Sequence, residues 1–189
     1  MGLLDALFGK KKLKSASLDR LFALPTARVT LEVECGLVPA GAAAVVFKPM
    51  STSEFARAES ETEQLLDAAA AESGSKLERR TDGYGYVWVI VHDPDFEDLV
   101  TSTHVVSSEL QAHGFGEQLL AAAFRFDRDE RPVYLIYGYK RAAFWPFVPT
   151  GEGQERDNAL ELRVKGELDG VLPMEQDLSR WLALFDAPF

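Results

Sequence analysis

The sequence predicts an α+β fold, a two-layer sandwich in which helices pack on one face of a mainly antiparallel sheet. Segments with strand-like patterning occur in pairs, and segments with helical periodicity follow them. Paired strands joined by short turns are antiparallel, because parallel strands need long crossover connections. The 189 residues are 47% hydrophobic, enough for one core. We therefore assign residues 15–189 to a single α+β domain and residues 1–14 to a basic amphipathic segment.

Charge and cysteine content exclude several classes of function. The net charge is −10, but four lysines and one aspartate give residues 1–14 a charge of +3, which leaves −13 for the rest. An acidic body repels phosphates, so we expect no nucleic-acid partner. A single cysteine and scattered histidines predict no disulfide, metal or cofactor, and a cytoplasmic compartment. No apolar run has the roughly 20 residues that a membrane-spanning helix needs.

Residues 1–14 have the pattern of a membrane-surface anchor. In a helix, four apolar side chains share one face: Leu3, Leu4, Leu7 and Phe8. Four basic side chains follow them: Lys10, Lys11, Lys12 and Lys14. Apolar contact followed by lysines favours reversible association with an anionic membrane surface, here the inner face. A frayed tail or a short helix docked on its own domain are the alternatives.

The first part of the body is predicted to alternate strands with one long helix. A helical turn is expected at residues 18–24, and alternating apolar residues at 29–35 favour a strand, with a short helix as the alternative. Residues 43–47 form a second strand. The capping-box spacing of residues 51–54 begins a helix that continues to about residue 72. Its inward side chains are Phe55, Thr62, Leu65, Leu66 and Ala69.

The second part repeats this order. We expect a polar edge strand at 76–81, a strand at 84–91, a helix at 97–113, and paired strands at 119–126 and 133–139. A further helix ends near residue 168, with Glu161 and Lys165 as an i,i+4 ion pair. The last element is an amphipathic helix over residues 175–184 that carries Trp181.

An acidic cluster lies at residues 95–98 and contains Asp95, Glu97 and Asp98. Negative side chains stabilise the first turn of a helix, so the structural interpretation is favoured here. Contact with a partner is the alternative function of these carboxylates. The glycine required by a calcium-binding loop is absent.

A basic and aromatic cluster follows the strand at 133–139. It consists of Tyr139, Lys140, Arg141, Phe144 and Trp145. Aromatic rings beside two cations suit an anionic group or a partner carboxylate. In the alternative interpretation, the rings only cap the core and the cations pair with nearby acids.

Five stretches together resemble the PspA-associated protein PspAB family. They read GLLDALFGKKKLK, LFALPTARVTLE, DPDFEDLV, RPVYLIYGYKRAAFWPFVP and QERD followed by LELR, and they run through nearly the whole chain. The resemblance implies an association with PspA, the coiled-coil membrane-stress protein of the phage-shock response. It carries over no catalytic residue.

The sequence therefore favours a non-enzymatic accessory protein of a PspA-type membrane-stress response. Its body would bind a PspA-type coiled-coil protein or another protein, and its first residues would associate reversibly with the inner membrane face. An enzyme or small-ligand sensor is the alternative, with a pocket that unites residues 139–141 with residues 95–98.

Overall fold

A computed structural model of the chain describes residues 18–189, apart from residues 152 and 186. Its centre is a six-stranded sheet, and every pair of neighbouring strands is antiparallel. The strands are β1 (Val38–Phe47), β2 (Lys76–Thr81), β3 (Val87–His92), β4 (Leu119–Arg128), β5 (Arg131–Gly138) and β6 (Ala143–Phe147). Their order across the sheet is β2-β3-β1-β4-β5-β6.

The described residues contain four α-helices, of which one precedes β1, two connect strands and one follows β6. They are α1 (Ala23–Val29), α2 (Ser53–Ser73), α3 (Phe96–Ala112) and α4 (Asn158–Leu168). The Thr52 hydroxyl accepts a hydrogen bond from the Phe55 amide at the start of α2, and Gly74 ends this helix with a φ of 82°. A positive φ strains residues that have a Cβ, so glycine suits this position. The predicted end at Gly74 is therefore confirmed, but the N-cap is Thr52 and not Ser51 of the predicted capping box, so Phe55 takes the third helical position in place of Glu54.

The helices cover one face of the sheet and enclose the larger core. Alternate strand residues such as Val45, Phe124 and Leu135 point into this core and are fully buried. Phe55 of α2 and Leu99 of α3 pack against them from the helix layer. The predicted α+β sandwich, with helices on one face of an antiparallel sheet, is confirmed.

The opposite face of the sheet carries a second, smaller core, to which no α-helix of the described residues contributes. Trp88, Tyr134 and Trp145 are buried there, and residues 181–185 and 187–189 pack against this face. The Trp145 Nε1–H donates to the Leu182 carbonyl at 3.0 Å, and the Tyr134 hydroxyl donates to the Phe189 carbonyl oxygen at 2.9 Å. Among the described residues, this face of the sheet is therefore covered only in part, by the irregular C-terminal segment.

Residues 29–35, predicted as a strand, are helical. After α1 the chain continues as a π-helical turn, Thr30–Glu34. Leu31 and Cys35 are buried while Val29 and Val33 are exposed. Apolar residues on two opposite sides of one short helix give the same alternating sequence pattern as a strand. The alternative prediction of a short helix is therefore the correct one.

The last third of the chain differs from expectation in three places. Residues 175–184 contain only a short 3-10 turn, Leu178–Arg180, instead of an amphipathic helix. Phe144 and Trp145 lie in β6, a strand that the sequence did not predict. Glu161 does not pair with Lys165: it pairs with Arg156, and Lys165 pairs with Asp169 at 2.9 Å.

One predicted inward residue of α2 points outward. Leu65 is exposed, whereas Phe55, Thr62 and Leu66 are buried. Leu65 precedes Leu66 directly, and adjacent residues of a helix point about 100° apart, so the two side chains do not share the buried face.

Candidate binding groove

A groove of about 690 Å³ lies on the face of the sheet opposite to helices α1 to α4. Its floor consists of small residues from three neighbouring strands, Val46, Ala121 and Gly138, which share one row of the sheet. Trp88 and Trp145 stand on either side of this floor. The depression exists because large side chains flank small ones.

Both tryptophans have their indole N–H groups satisfied by residues that also line the groove, Asp82 and Leu182. The Trp88 Nε1–H donates to Asp82 Oδ2 at 2.9 Å, and the Trp145 Nε1–H donates to the Leu182 carbonyl at 3.0 Å. The rings therefore present apolar surface to the groove. Buried tryptophans need such partners, because an unsatisfied indole N–H is costly in a low-dielectric site.

Exposed apolar side chains extend the groove at its margins. Tyr84 is 71% exposed and Leu182 is 65% exposed, while Phe185 forms part of the wall. An apolar concavity continued by exposed apolar residues is typical of a site for a ligand or partner.

Three cations stand at the rim of the groove: Lys140, Arg141 and Arg180. Arg141 lies 3.6 Å from Glu175, and Arg180 lies 2.9 Å from Asp177. No carboxylate of the described residues lies within 4.0 Å of the Lys140 ammonium group. Two of the three rim cations are therefore paired with carboxylates, and the carboxylate of Asp82 also lines the groove, so the rim cation without a carboxylate partner among the described residues is Lys140.

The hairpin between β5 and β6 holds Lys140 and Arg141 at this rim. The Gly138 carbonyl accepts hydrogen bonds from the amides of Arg141 and Ala142, at 3.2 and 2.8 Å. Ala142 has a φ of 55°, which the closed turn enforces. These backbone hydrogen bonds therefore hold the Cα positions of Lys140 and Arg141 at the rim of the groove.

The structure divides the predicted basic and aromatic cluster. Lys140, Arg141 and Trp145 line the groove, whereas Tyr139 and Phe144 are buried in the larger core on the other face. Burial raises the pKa of the Tyr139 hydroxyl well above its usual value, although the neighbouring Ser107 hydroxyl opposes this effect. Tyr139 and Phe144 therefore pack in the core, as the alternative interpretation had them.

The acidic cluster lies far from the groove, at the start of α3. The Asp95 carboxylate accepts hydrogen bonds from the amides of Glu97 and Asp98, at 2.8 and 3.3 Å. Trp88 shares a row with Gly138, while His92 is four residues farther along β3, which is about 13 Å at the usual strand rise. The structure does not unite residues 95–98 with residues 139–141.

Sequence reasoning missed the aromatic wall of the groove. Tyr84, Tyr86 and Trp88 occupy alternate positions, a spacing that would put all three on one face of the strand predicted at 84–91. In the structure the strand begins at Val87, and Tyr84 lies in the turn before it. That spacing was visible in the sequence. Their meeting with Leu182 and Phe185, about 100 residues later, was not visible, because only the tertiary fold brings these segments together.

Two further features bear on function. The described part of the chain contains no group of three or more His, Cys, Asp or Glu side chains placed to hold a metal ion. None of its helices is long and apolar enough to cross a bilayer. The predicted membrane-contact residues, Leu3, Leu4, Leu7, Phe8, Lys10, Lys11, Lys12 and Lys14, lie outside the described residues.

Comparison with known proteins gives one match. The sequence model of the PspAB family, described as PspA associated protein B, matches residues 1–189. No curated protein and no solved structure matches the chain.

Proposed function

Since the chain belongs to the PspA associated protein B family, we propose that it is a non-enzymatic accessory protein of a PspA-type membrane-stress response. In this proposal, its folded body binds a PspA-type coiled-coil protein, and residues 1–14 associate reversibly with the anionic inner face of the membrane. The observation that supports the proposal is the apolar groove with the cations Lys140, Arg141 and Arg180 along its rim.

The groove suits one apolar stripe of an amphipathic helix. Helices dock into apolar grooves through side chains spaced three and four residues apart. Trp88, Trp145 and Leu182 supply apolar walls for such side chains. Carboxylates that flank the stripe on the partner helix would meet Lys140, Arg141 and Arg180, which supports recognition by charge complementarity. A coiled-coil protein presents helices of this kind.

Binding of purified PspA, measured by calorimetry and by pull-down, tests the partner. We expect binding by the wild type and at least about tenfold weaker binding by Lys140→Glu/Arg141→Glu and by Leu182→Asp, because each removes charge or apolar contact at the rim. The control variants are Arg57→Glu and Leu162→Asp, which make the same kinds of substitution at exposed residues of α2 and α4. No binding by the wild type, with and without lipid, would refute the PspA proposal. Equal binding by all variants would refute the groove as its site.

Liposome flotation tests the membrane contact. The full chain should float with vesicles that contain phosphatidylglycerol, and the chain without residues 1–14 should remain at the bottom. High salt should weaken flotation, because the lysines contribute about 1 kcal/mol each near a charged surface and salt screens them. Equal flotation of both chains would show that residues 1–14 are not the anchor.

A small-ligand sensor is the second candidate, and the groove volume favours it. About 690 Å³ falls within the roughly 300–1,000 Å³ of typical ligand pockets. The ligand would be apolar with an anionic end near Lys140. Stabilisation of the wild type but not of Leu182→Asp by lysophosphatidic acid, in a thermal-shift assay, would support this candidate over the helix.

A further inference from the structure

The turn between β2 and β3 contributes several residues to the groove. It comprises residues 82–86, which read Asp, Gly, Tyr, Gly and Tyr. The Asp82 amide donates to the Tyr86 carbonyl at 3.0 Å, and the Gly85 amide donates to the Asp82 carbonyl at 3.1 Å. Gly85 has a φ of 82°, which a residue without a Cβ adopts at no steric cost. Backbone hydrogen bonds therefore close this turn tightly.

The carboxylate of Asp82 accepts three further hydrogen bonds. Its Oδ1 accepts from the amides of Tyr84 and Tyr86, both at 2.9 Å. Its Oδ2 accepts from the indole Nε1–H of Trp88, also at 2.9 Å. An aspartate that accepts from the amide two residues ahead is a common way of fixing a turn. One side chain therefore ties the turn to a tryptophan of the groove wall.

The residues that Asp82 holds are aromatic residues of the groove lining. Trp88 is buried, and the Phe189 ring packs against it with the ring centroids 6.3 Å apart. Tyr84 is largely exposed, although its backbone is fixed by Asp82. An exposed aromatic ring on a fixed backbone loses little conformational freedom when a partner covers it, and such rings often dominate binding energy.

A second hollow adjoins the groove at this turn. Its volume is about 520 Å³, and its lining includes the polar residues Arg80, Thr81 and Gln154. Asp82, Tyr84 and Gln154 line both hollows and so form the boundary between them. An occupant of the groove that extends past Tyr84 therefore passes from an apolar surface to a polar one, which suits an amphipathic molecule.

We propose that Asp82 is the positioning residue of the groove: it holds Tyr84 and the Trp88 ring in their binding arrangement before the occupant arrives. The inference rests on the proposed function only in taking the groove as the binding site. Both carboxylate oxygens of Asp82 already accept hydrogen bonds from the protein, so Asp82 acts through the two aromatic residues. Fixing the wall beforehand lowers the entropy that binding has to remove.

Asp82→Asn is the variant that tests this role. The side-chain amide of asparagine has only one accepting oxygen, so it cannot serve both the turn amides and the Trp88 indole. At least one of the two connections is therefore lost, while the size and shape of the side chain are retained. Asp67→Asn is the matched control, because Asp67 is an exposed carboxylate of α2, in the helix layer.

Hydrogen exchange followed by NMR shows which connection is lost. The indole groups of the chain belong to Trp88, Trp145 and Trp181. In Asp82→Asn, exchange at the Trp88 Nε1–H or at the amides of Tyr84 and Tyr86 should be at least about threefold faster than in the wild type, the effect of one net hydrogen bond. The other two indole groups should be unchanged and serve as internal controls. Unchanged exchange at all three held groups would overturn the proposal.

Binding of two probes shows whether the arrangement matters. The probes are purified PspA and the dye 8-anilinonaphthalene-1-sulfonate, which combines apolar rings with an anionic group. Asp82→Asn should bind each at least about threefold more weakly than the wild type and Asp67→Asn do. Dye binding that Leu182→Asp retains lies outside the groove and is subtracted. Circular dichroism at the assay temperature confirms that each variant is folded.

A double-mutant cycle separates positioning from direct contact. Trp88→Phe keeps an aromatic ring but removes the N–H group that donates to Asp82. If Asp82 acts through this ring, Asp82→Asn should weaken binding less in the Trp88→Phe chain than in the wild type. Losses that add independently would show that Asp82 contacts the occupant itself, and would overturn the proposal.

Tyr84→Ala keeps the proposal falsifiable even if Asp82→Asn does not fold. The Tyr84 ring is exposed, and its amide can still donate to Asp82 in the variant, so the turn is retained. Binding of both probes should be at least about fivefold weaker. Wild-type binding of both probes by folded Asp82→Asn or by Tyr84→Ala would overturn the positioning role and leave the PspA partner intact.

The dye distinguishes this inference from the proposed partner. If the wild type binds the dye but not PspA, and folded Asp82→Asn binds the dye more weakly, the positioning role is upheld and the partner is refuted. A wild type that binds neither probe at the groove would overturn both.

Discussion

The indole ring of Trp145 lies over Gly138, so closely that a Cβ atom built on Gly138 would come within 2.7 Å of the ring carbon Cζ3. Gly138 is in β5 and Trp145 is in β6, where its register partner is Ile136. The ring therefore leans diagonally across the strand onto the residue that has no side chain. This contact forms one wall of the groove and leaves its floor open.

Gly138→Ala is expected to lower the free energy of unfolding by about 1–3 kcal/mol, the usual cost of overpacking. The added methyl group has to displace a large ring that is also held by its hydrogen bond to the Leu182 carbonyl. Urea denaturation followed by circular dichroism measures the change.

Gly166→Ala is the matched control for this substitution. Gly166 lies inside α4, and nothing is within 4 Å of its built Cβ atom. Alanine is about 1 kcal/mol more favourable than glycine in a helix, so this variant should be slightly more stable than the wild type. Equal stability of Gly138→Ala and the wild type would show that the Trp145 ring can move freely.

Removal of the Arg156 guanidinium should strongly destabilise the fold. Arg156 Nε lies 2.9 Å from both carboxylate oxygens of Glu161, a residue that is 1% exposed. Arg156→Met would leave a buried carboxylate without its cation, at a cost of about 3–5 kcal/mol. Chemical denaturation measures this loss.

A double variant checks the cause of that loss. In Arg156→Met/Glu161→Gln the buried charge is removed together with its partner, while the new amide side chain retains an oxygen that can accept from the Val148 amide, as Glu161 does at 2.9 Å. The double variant should therefore be more stable than Arg156→Met alone. Equal losses would mean that Arg156 acts through its hydrogen bond to the Trp181 carbonyl or its packing on Phe147.

Much of the fold could be predicted because its signals are local. Three examples are the start of α2 within residues 51–54, its end at Gly74 and the polar edge strand β2, which each depend on neighbours along the chain. The strand predicted at residues 29–35 was wrong because a helix with two apolar stripes has the same short-range alternation as a strand.

The groove could not be predicted, because it depends on which face of the sheet the helices leave open. The alternation of Tyr84, Tyr86 and Trp88 indicates a shared face but does not say what covers it. Residues 182–185 reach this face as irregular chain, and no periodicity marks such a segment.

His104 should make the fold less stable at mildly acidic pH. Burial against Phe22 and its neighbours lowers the pKa of the imidazole below 6.5, and the negative charge of Asp19 only partly opposes this effect. The unfolded chain therefore binds a proton at higher pH than the folded chain does. The contribution of neutral His104 to the free energy of unfolding is fully present above pH 6.5. It decreases as the pH falls from 6.5 toward the pKa of the folded state.

Thermal melts of the wild type and of His104→Gln at about pH 7.5 and about pH 5.5, on either side of the ordinary imidazole pKa, measure this contribution. The Tm of the wild type should decrease more than that of His104→Gln between the two pH values. His113, which lies 3.2 Å from Glu61, is present in both proteins and cancels in the comparison. An identical decrease in both proteins would assign the acid sensitivity to other groups.

Substitution of Asp95 separates its two predicted functions, helix cap and partner contact. Its carboxylate accepts from the Glu97 and Asp98 amides, so Asp95→Ala should cost about 1 kcal/mol of stability. Asp95→Asn keeps the accepting oxygen and should cost less than half of that. Denaturant titration of both variants, with Glu97→Gln as an exposed control, measures the difference. If Asp95→Asn is as stable as the wild type but binds PspA more weakly, the charge itself contacts the partner, and the acidic cluster is more than a cap.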